Sequence, residues 1–450
     1  MEIQRKAYST LLDWKNSSDS SKAIIIKGAR RVGKSYLAEA FARREYKSYI
    51  LIDFSSPMPG TMNIFRKYGN KAMVDEFLNQ LSVLYGTTLY PGNSCIIFDE
   101  IQFAPKAREF IKHLVANGKY DYIETGSLIS IKKNASGILI PSEEDEMFMH
   151  PLTFEEFLHF LGKDVIYDAI SDAYVHRKPL GNLLKPANEM LRLYMIVGGM
   201  PQPVLKYAES QNYDTVEKEK RRIIKLYRED IAKYAESYVA EASAIFNMIP
   251  SQLSHHDKKI KFSALIRGKR ADDFSDALFW IGDSMVGNLC YALEQPEHFD
   301  GFYIDSSRLK CYMADTGLLL TLAAGESKYL SSSLYKSFVS GKLSVNKGMM
   351  TENYVSSVIR ANGHPLRFYE TYAEANGNNK KYEIDFLIRK DNRTIPIEVK
   401  SGNTSVHSSI DFFRKKYGRS TSKGIILTKG DYRETDEYIY VPLVMADFVM

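Results

Sequence analysis

At 450 residues the chain is too long for one hydrophobic core, so about two to four domains are expected. Its hydrophobic share of 44% and charged share of 26% are ordinary for a soluble globular protein. A formal charge of +5 is too small at this length to demand nucleic acid as a partner. Cys95, Cys290 and Cys311 stand in apolar stretches with no paired spacing, which points to buried thiols in a reducing compartment rather than disulfides or a metal site. The opening MEIQRKAYSTLLDWK lacks the apolar run of a signal peptide. The longest apolar candidate, Thr316–Ala324, falls far short of the ~20 residues a membrane helix needs. A cytoplasmic protein with no membrane partner is expected.

Residues 23–35 read AIIIKGARRVGKS, a β-branched strand running straight into Gly28-x-x-x-x-Gly33-Lys34-Ser35. In such a loop the glycines let backbone N–H groups curl round an anion, and Lys34 reaches the outer phosphates. The Ser35 hydroxyl can ligate Mg²⁺, and a helix opening at Tyr36-Leu37-Ala38 aims its positive dipole end at the charge. The expected nucleotide contacts are Gly28, Ala29, Arg30, Arg31, Val32, Gly33, Lys34, Ser35 and Tyr36, with ATP or ADP and Mg²⁺ as cofactors. Arg30 and Arg31 are read either as touching phosphates or a neighbouring subunit of a homo-oligomer, or as a solvated basic pair.

Strand patterns at Ala23–Lys27, Tyr49–Phe54, Ser94–Phe98, Tyr120–Glu124 and Glu146–His150 alternate with helical patterns at Tyr36–Arg44, Lys71–Tyr85 and Pro105–Ala116. Such alternation predicts a parallel sheet covered on both faces. Cys95-Ile96-Ile97-Phe98-Asp99-Glu100 is an apolar strand ending in two carboxylates. Asp99 is placed to hold the metal beside Ser35, and Glu100 to accept a proton from the attacking water. The next strand ends Glu124-Thr125-Gly126-Ser127, where either Thr125 or Ser127 is a candidate to sense the γ-phosphate. Arg192 and Arg228 are candidates for an arginine finger.

Residues 155–240 read as helices broken at Gly198-Gly199-Met200-Pro201, with a long charged helix at Asp214–Ser237. Short helices from 241 onward end in two strand-like runs, Gly301–Ile304 and Leu309–Ala314, an order that suits a winged helix. Lys258, Lys259, Lys261, Arg267, Lys269 and Arg270 crowd this segment and suit phosphates, whereas Asp272, Asp273 and Asp276 on the following helix would repel DNA. The segment therefore holds either nucleic acid or a protein surface. Glu326–Gly348, rich in Ser, Lys and Gly, reads as a linker or cover segment.

The segments GARRVGKS, IIFDEIQ, ETGSL, PLTFEEF, GGMP and MADTGL, in this order, resemble a family of prokaryotic ATPases of the AAA superfamily. That family joins its ATPase to a C-terminal domain of unknown function with a nuclease-like core, and it is similar to archaeal ATPases of the signal-transduction branch. The resemblance implies an ATPase core, a helical lid carrying GGMP, a winged-helix segment ending near Asp315-Thr316-Gly317, and the terminal nuclease-like unit.

That unit carries its own chemistry. A helix at Met349–Ala361 bears Glu352, strands at Leu366–Tyr369 and Tyr382–Arg389 follow with Asp385 on the second, and Thr394–Lys400 ends Ile397-Glu398-Val399-Lys400. Strand alternation puts Glu398 and Lys400 on one face, and Asp385 on a neighbouring strand can converge on them. Asp385 and Glu398 offer an all-oxygen Mg²⁺ site, and Lys400 can position a water for attack on a phosphodiester. The order of Glu352, Asp385, Glu398 and Lys400 resembles the PD-(D/E)xK nuclease superfamily. The polar segment 373–381, AEANGNNKK, reads as an insertion before the Asp385 strand. A helix at Ser405–Tyr417 and a strand at Gly424–Thr428 follow, with Arg414, Lys415, Lys416, Arg419 and Lys423 as phosphate-binding candidates.

The expected fold is α/β: a P-loop AAA-type core over 1–160, a helical lid over 161–240, a winged-helix segment over 241–325 and a PD-(D/E)xK nuclease-like α/β domain within 326–450. The expected catalytic set is Lys34, Glu100 and Ser127 at the first site and Glu352, Asp385, Glu398 and Lys400 at the second. Ser35 and Asp99, then Asp385 and Glu398, are the metal candidates. Two functions follow. In one, nucleotide state controls a DNA-directed nuclease-like domain; in the other, an ATP-driven switch binds protein partners and the terminal domain is catalytically inactive.

Overall fold

The computed structural model describes residues 3–17, 22–127, 142–297, 303–325, 335–336, 347–375, 378–402 and 407–450. The chain divides into two compact units, Met1–His150 with Asp283–Met285, and Pro151–Gly282 with Val286–Met450. Among the described residues no helix is long and apolar enough to cross a membrane. Cys95, Cys290 and Cys311 are buried free thiols.

The first unit holds β1 (Ala23–Gly28), β2 (Ser48–Asp53), β3 (Ser94–Asp99), β4 (Asp121–Gly126) and β5 (Glu144–Met149) in a sheet ordered β2-β3-β4-β1-β5. Every neighbouring pair is parallel. Alternation along each strand sends successive apolar residues to opposite faces. Ile24, Ile26, Cys95, Ile97 and Ile123 pack against α1 (Lys6–Asn16) and α2 (Lys34–Glu45). Ile25, Ile96, Phe98 and Tyr122 pack against α3 (Thr61–Tyr68), α4 (Val74–Tyr85) and α5 (Pro105–Asn117). Both faces are buried, which is why β1 and β3 read as continuous apolar runs. Helix α5 begins on Pro105 and ends at Gly118 with φ 67°, the usual asymmetry of start and stop residues. Helix α3 forms where no element was expected, because eight residues are too few for a decisive period. Since β1 lies between β4 and β5, the carboxyl ends of β1, β3 and β4 share one edge, where α/β sheets bind ligands.

The second unit opens with α6 (Phe154–Phe160), started by a reciprocal cap between Thr153 and Glu156. There follow α7 (Asp164–Val175), α8 (Leu184–Val197), α9 (Pro201–Ser210), α10 (Tyr213–Tyr234), α11 (Val239–Ser254), α12 (Phe262–Leu265) and α13 (Ser275–Asp283). The GGMP break meets two other segments of the family resemblance. Asp315 accepts from the Gly199 N–H at 2.5 Å and from the Leu318 N–H at 2.8 Å, capping α14 (Thr316–Ala323). The Gly199 carbonyl accepts from the Leu152 N–H at 2.7 Å, and the Tyr194 hydroxyl donates to the Leu152 carbonyl at 2.6 Å. Any Cβ at Gly198 would collide with the Asp315 carboxylate, and one at Gly317 with the Val197 carbonyl. PLTFEEF, GGMP and MADTGL thus meet in one joint. Beneath it lies fully buried Lys220, which donates to the Ile196 carbonyl at 2.9 Å and the Tyr335 hydroxyl at 3.0 Å.

The remaining strands form one mixed sheet ordered β12-β13-β11-β10-β9-β8-β6-β7. They are β6 (Gly287–Leu293), β7 (Ile304–Met313), β8 (Arg367–Ala375), β9 (Asn378–Lys390), β10 (Arg393–Lys400), β11 (Gly424–Thr428), β12 (Arg433–Glu434) and β13 (Tyr438–Pro442). Helix α15 (Lys347–Ala361) precedes β8, and α16 (Ser408–Tyr417) packs Ile410 and Phe413 onto Tyr369, Ile384, Leu387 and Ile426. Helix α17 (Ala446–Val449) closes the chain.

Three expectations change here. The two strand-like runs in the 301–314 region become one strand, β7, paired antiparallel with an unforeseen β6; residues 301–302 lie outside the described ones. This hairpin joins the C-terminal sheet through Tyr291↔Arg367 and Ala292↔Phe368. The run Gly287–Leu293 is too short for its period to separate strand from helix, and pairing decides it. Both sides of the polar segment 373–381 are strand, with Ala373 opposite Lys380 and Glu374 opposite Asn379, so they extend the β8–β9 hairpin. Most of the expected linker at 326–348 lies outside the described residues.

Candidate functional site

Strand β1 delivers Gly28 to the carboxyl edge of the first sheet. A Cβ at Gly28 would collide with the Met149 carbonyl oxygen, so only glycine lets the loop leave beside β5. Arg31 and Gly33 take left-handed backbone at φ 70° and 103°, turning the chain into α2. Buried Lys34 donates to the carbonyls of Gly28 at 2.9 Å and Ala29 at 3.2 Å, holding its ammonium inside the loop. Ser35 lies in the first turn of α2, while Arg30, Arg31 and Tyr36 are exposed. Arg5 braces the arrangement, donating to the Val32 carbonyl at 3.1 Å and the His150 carbonyl at 2.6 Å. No motif pointed to Arg5, because it stands before α1, far from the loop in sequence.

Asp99 ends β3 nearly buried and accepts from the Thr125 hydroxyl. The same hydroxyl accepts from the Glu100 N–H at 3.3 Å. Glu100 sits at φ 54° and ψ 48°, a left-handed conformation unusual for a side-chain-bearing residue, and Gln102 donates to its carboxylate. Of the two residues left open at the end of β4, Thr125 is the one tied to both carboxylate positions, while Ser127 lies just past the strand. The donor set, a hydroxyl from Ser35 and the Asp99 carboxylate, is the hard oxygen chemistry that suits Mg²⁺.

Behind this edge lies a charge cluster the sequence did not announce. Arg108 of α5 forms a two-pronged pair with Glu144 of β5, Nε at 3.2 Å and Nη2 at 2.7 Å. Glu124 of β4 is fully buried beside them. Burial, and then the neighbouring Glu144 charge, push its pKa well above the usual carboxylate range.

In the C-terminal sheet, one residue of β8 faces two of β9 between Arg367↔Leu387 and Tyr369↔Ile384, so Asp385 and Phe386 form a bulge opposite Phe368. Asp385 accepts from the Val399 N–H at 2.8 Å. Lys400 pairs with nearly buried Glu398 at 2.6 Å. Burial raises the Glu398 pKa to about 7, with Lys400 pulling down and Asp385 and Asp411 pushing up. Glu352 of α15 is also buried, and its pKa rises to about 7, first from burial and then from Asp385, against Lys258 and Lys310. Asp385 is the member common to both environments.

Lysines pair with the carboxylates on and around this cluster. Lys258, in the segment read as meeting either nucleic acid or a protein surface, pairs with Glu352, and Lys259 pairs with Glu370 at 2.6 Å. Lys269 likewise pairs with Glu241. Fully buried Lys310 of β7 pairs with Glu383 at 2.6 Å and lies 4.6 Å from the centre of the Phe368 ring. Burial works to lower its pKa, yet Glu383, Glu352 and Asp385 outweigh that and the net shift is upward. Among the described residues no group of three or more His, Cys, Asp or Glu side chains is placed to hold a metal. Nothing local in β7 marks Lys310; its partners, Glu383 and Phe368, come from strands far along the chain.

Of the other candidates, Arg228 donates to Asn247 at 3.0 Å, and Arg192 is half-buried, which lowers its pKa. Asp272, Asp273 and Asp276 are exposed. Lys415 and Lys416 are exposed on α16, Lys423 pairs with Glu434 at 2.8 Å, and the Arg419 side chain lies outside the described residues.

Three family profiles match: an AAA domain over residues 20–158, and domains of unknown function over 188–329 (DUF8612) and 347–445 (DUF4143). No curated protein matches significantly. Among solved structures, a signal transduction ATPase with a tetratricopeptide repeat sensor from Pyrococcus horikoshii is similar at 12% identity and TM-score 0.30, covering 80% of this chain and 46% of that one. This chain thus spans about half the length of that protein. Drosophila ORC bound to DNA is similar at 14% identity and TM-score 0.29, covering 70% of this chain and 94% of that one. The ORC1 protein of Aeropyrum pernix in complex with DNA follows at 10% and 0.27, covering 72% and 93%. The AAA domain profile matched over residues 20–158 covers the phosphate loop and the two carboxylates of β3, which supports an ATPase at that general level.

Proposed function

We propose that the chain is an ATP-dependent regulatory switch of the cytoplasm whose output is the C-terminal carboxylate-bearing domain, acting on protein partners. The observation that supports this most directly is the assembly at one sheet edge. Lys34 lies inside the loop, and one Thr125 hydroxyl ties Asp99 to the backbone of Glu100. In this reading an incoming triphosphate draws the Lys34 ammonium from the loop carbonyls onto the outer phosphate oxygens. Glu100, held in place by its strained backbone and by Gln102, accepts the proton of the attacking water. A bound Mg²⁺ shields the phosphate charge, with Ser35 and Asp99 as the residues that would hold it. Nucleotide binding and phosphate release test this. Lys34→Ala is expected to weaken ATP binding by about 100-fold or more, and Glu100→Gln to keep binding while slowing release roughly 10²- to 10³-fold. Unchanged ATP affinity in Lys34→Ala overturns the reading.

A second reading is DNA-directed, metal-dependent cleavage by Asp385, Glu398 and Lys400 with Glu352. The Asp385 bulge and the Lys400–Glu398 pair support it. The lysines on Glu352 and Glu383 favour the first reading. Cleavage of DNA with Mg²⁺ or Mn²⁺, lost in Asp385→Ala, would reverse that order.

A further inference from the structure

The phosphate loop carries two arginines, and the fold treats them differently. The Val32 N–H donates to the Ala29 carbonyl at 3.3 Å, closing a tight turn with Arg31 in its third place at φ 70°. Glycine and asparagine take that left-handed position most readily, so a longer side chain here carries a backbone cost. The turn is clamped on both sides. The Ala29 carbonyl also accepts from the Lys34 ammonium at 3.2 Å, and the Val32 carbonyl accepts from Arg5 at 3.1 Å. Left-handed backbone at Arg31 and again at Gly33 bends the loop so that backbone N–H groups converge, which is how such loops hold anions.

With the backbone fixed, the side chains divide by what they already do. Ala29, Val32 and Lys34 are buried, and Arg30 has an interaction of its own. Arg31 is exposed and, among the described residues, has no hydrogen-bond, ion-pair or ring partner. Its Cα is at most about 11 Å along the chain from that of Lys34, so the guanidinium can reach the phosphate that the ammonium holds. An arginine acting on a transferring phosphoryl group need not come from a second subunit. The two arginines of the second unit considered for that role are occupied: Arg228 donates to Asn247 at 3.0 Å, and Arg192 has an interaction of its own.

We propose that Arg31 is a catalytic residue of ATP hydrolysis, stabilising in cis the charge on the γ-phosphoryl group, so that one chain completes its own site. The proposal rests on the ATPase reading above and names the residue that supplies its transition-state charge. In the step itself, the water oxygen bonds to the γ-phosphorus as the bond from that phosphorus to the β–γ bridging oxygen breaks. The bonding pair leaves with ADP, one water proton passes to Glu100, and hydrogen phosphate departs with the other. Glu100 then releases its proton to solvent. The Arg31 guanidinium keeps all its protons throughout and offsets the negative charge that spreads over the phosphoryl oxygens.

The test is ATP binding and single-turnover phosphate release by the full chain. Arg31→Gly removes the guanidinium and the backbone cost together. It is expected to melt no lower than wild type and to bind ATP within about 3-fold, while releasing phosphate about 100-fold or more slowly. Arg31→Asn, which also accepts left-handed backbone, is expected to do the same, and Arg31→Lys to recover part of the rate. Wild-type turnover per chain is expected to stay constant over a roughly 100-fold range of protein concentration. The proposal is overturned if folded Arg31→Gly or Arg31→Asn releases phosphate within about 3-fold of wild type, or if the loss lies in ATP affinity instead. It is also overturned if Lys34→Ala chains, which keep Arg31, restore turnover to Arg31→Gly chains on mixing, since the arginine then acts between copies. Wild type that neither binds nor turns over ATP defeats the ATPase reading, whereas wild-type turnover untouched in Arg31→Gly defeats this inference alone.

Discussion

Thr125 is the residue on which the phosphate edge turns, because its one hydroxyl donates to Asp99 and accepts from the Glu100 N–H. Left-handed backbone at a residue such as Glu100 costs on the order of 1–3 kcal/mol, so it persists only where neighbours hold it. Thr125→Val keeps the β-branched shape and deletes both bonds. It is expected to leave ATP affinity within a few-fold of wild type while slowing phosphate release about 10-fold or more, measured in single-turnover assays. Equal rates would show that Glu100 is held by the strand alone. Glu124 allows a test through pH. Its folded pKa is raised, so the stability it contributes is complete below the ordinary glutamate range near pH 4.5 and is lost as pH rises through the higher folded value. Glu124→Gln removes that titration. The variant is expected to match wild type near pH 4.5 and to melt above it at pH 8, and a constant difference across that range would refute the assignment.

At the scale of elements, the joint of α8, α9 and α14 explains why GGMP and MADTGL occur together. Asp315 caps α14 and also takes the Gly199 N–H, so one carboxylate serves two elements. A lost cap costs about 1 kcal/mol, and a buried N–H left without a partner about 1–3 more. Asp315→Ala is therefore expected to destabilise the protein by roughly 2–4 kcal/mol in urea unfolding, with the loss in the second unit. The loop carrying Lys258 shows the same economy. A sequence stretch that looked like a phosphate-binding patch is spent on Glu352 and Glu370, because those buried carboxylates need counter-charge more than the surface needs lysines.

Across the whole molecule, the eight-stranded sheet takes β6 and β7 from before the undescribed 326–334 and 337–346 stretches and six strands from after them. A chain ending at residue 325 would leave the β6 edge without β8, and a fragment starting at 347 would lose Lys258 and Lys310. Both are expected to self-associate or unfold, since an open strand edge and unpaired buried carboxylates are each costly. Sedimentation and thermal melting check this. A monomeric, cooperatively melting 347–450 fragment would show that the hairpin is an accessory to that sheet.

What was legible from the amino-acid sequence is local. Gly28 to Ser35, the apolar run into Asp99 and Glu100, and the strand carrying Glu398 and Lys400 each announce themselves because a few adjacent residues carry both the shape and the chemistry. Parallel strands buried on two faces are legible for the same reason, as in Ala23–Ile26. The choice of Thr125, the brace of Arg5, the annexation of β6 and β7 and the lysines on Glu352 and Glu383 depend on partners tens to more than a hundred residues away. Strand pairing and charge pairing at such separations leave no local period. The sequence by itself therefore determined the phosphate-loop pattern and the carboxylates that follow it, while only the tertiary structure decided which charges face the carboxylates at the chain's other end.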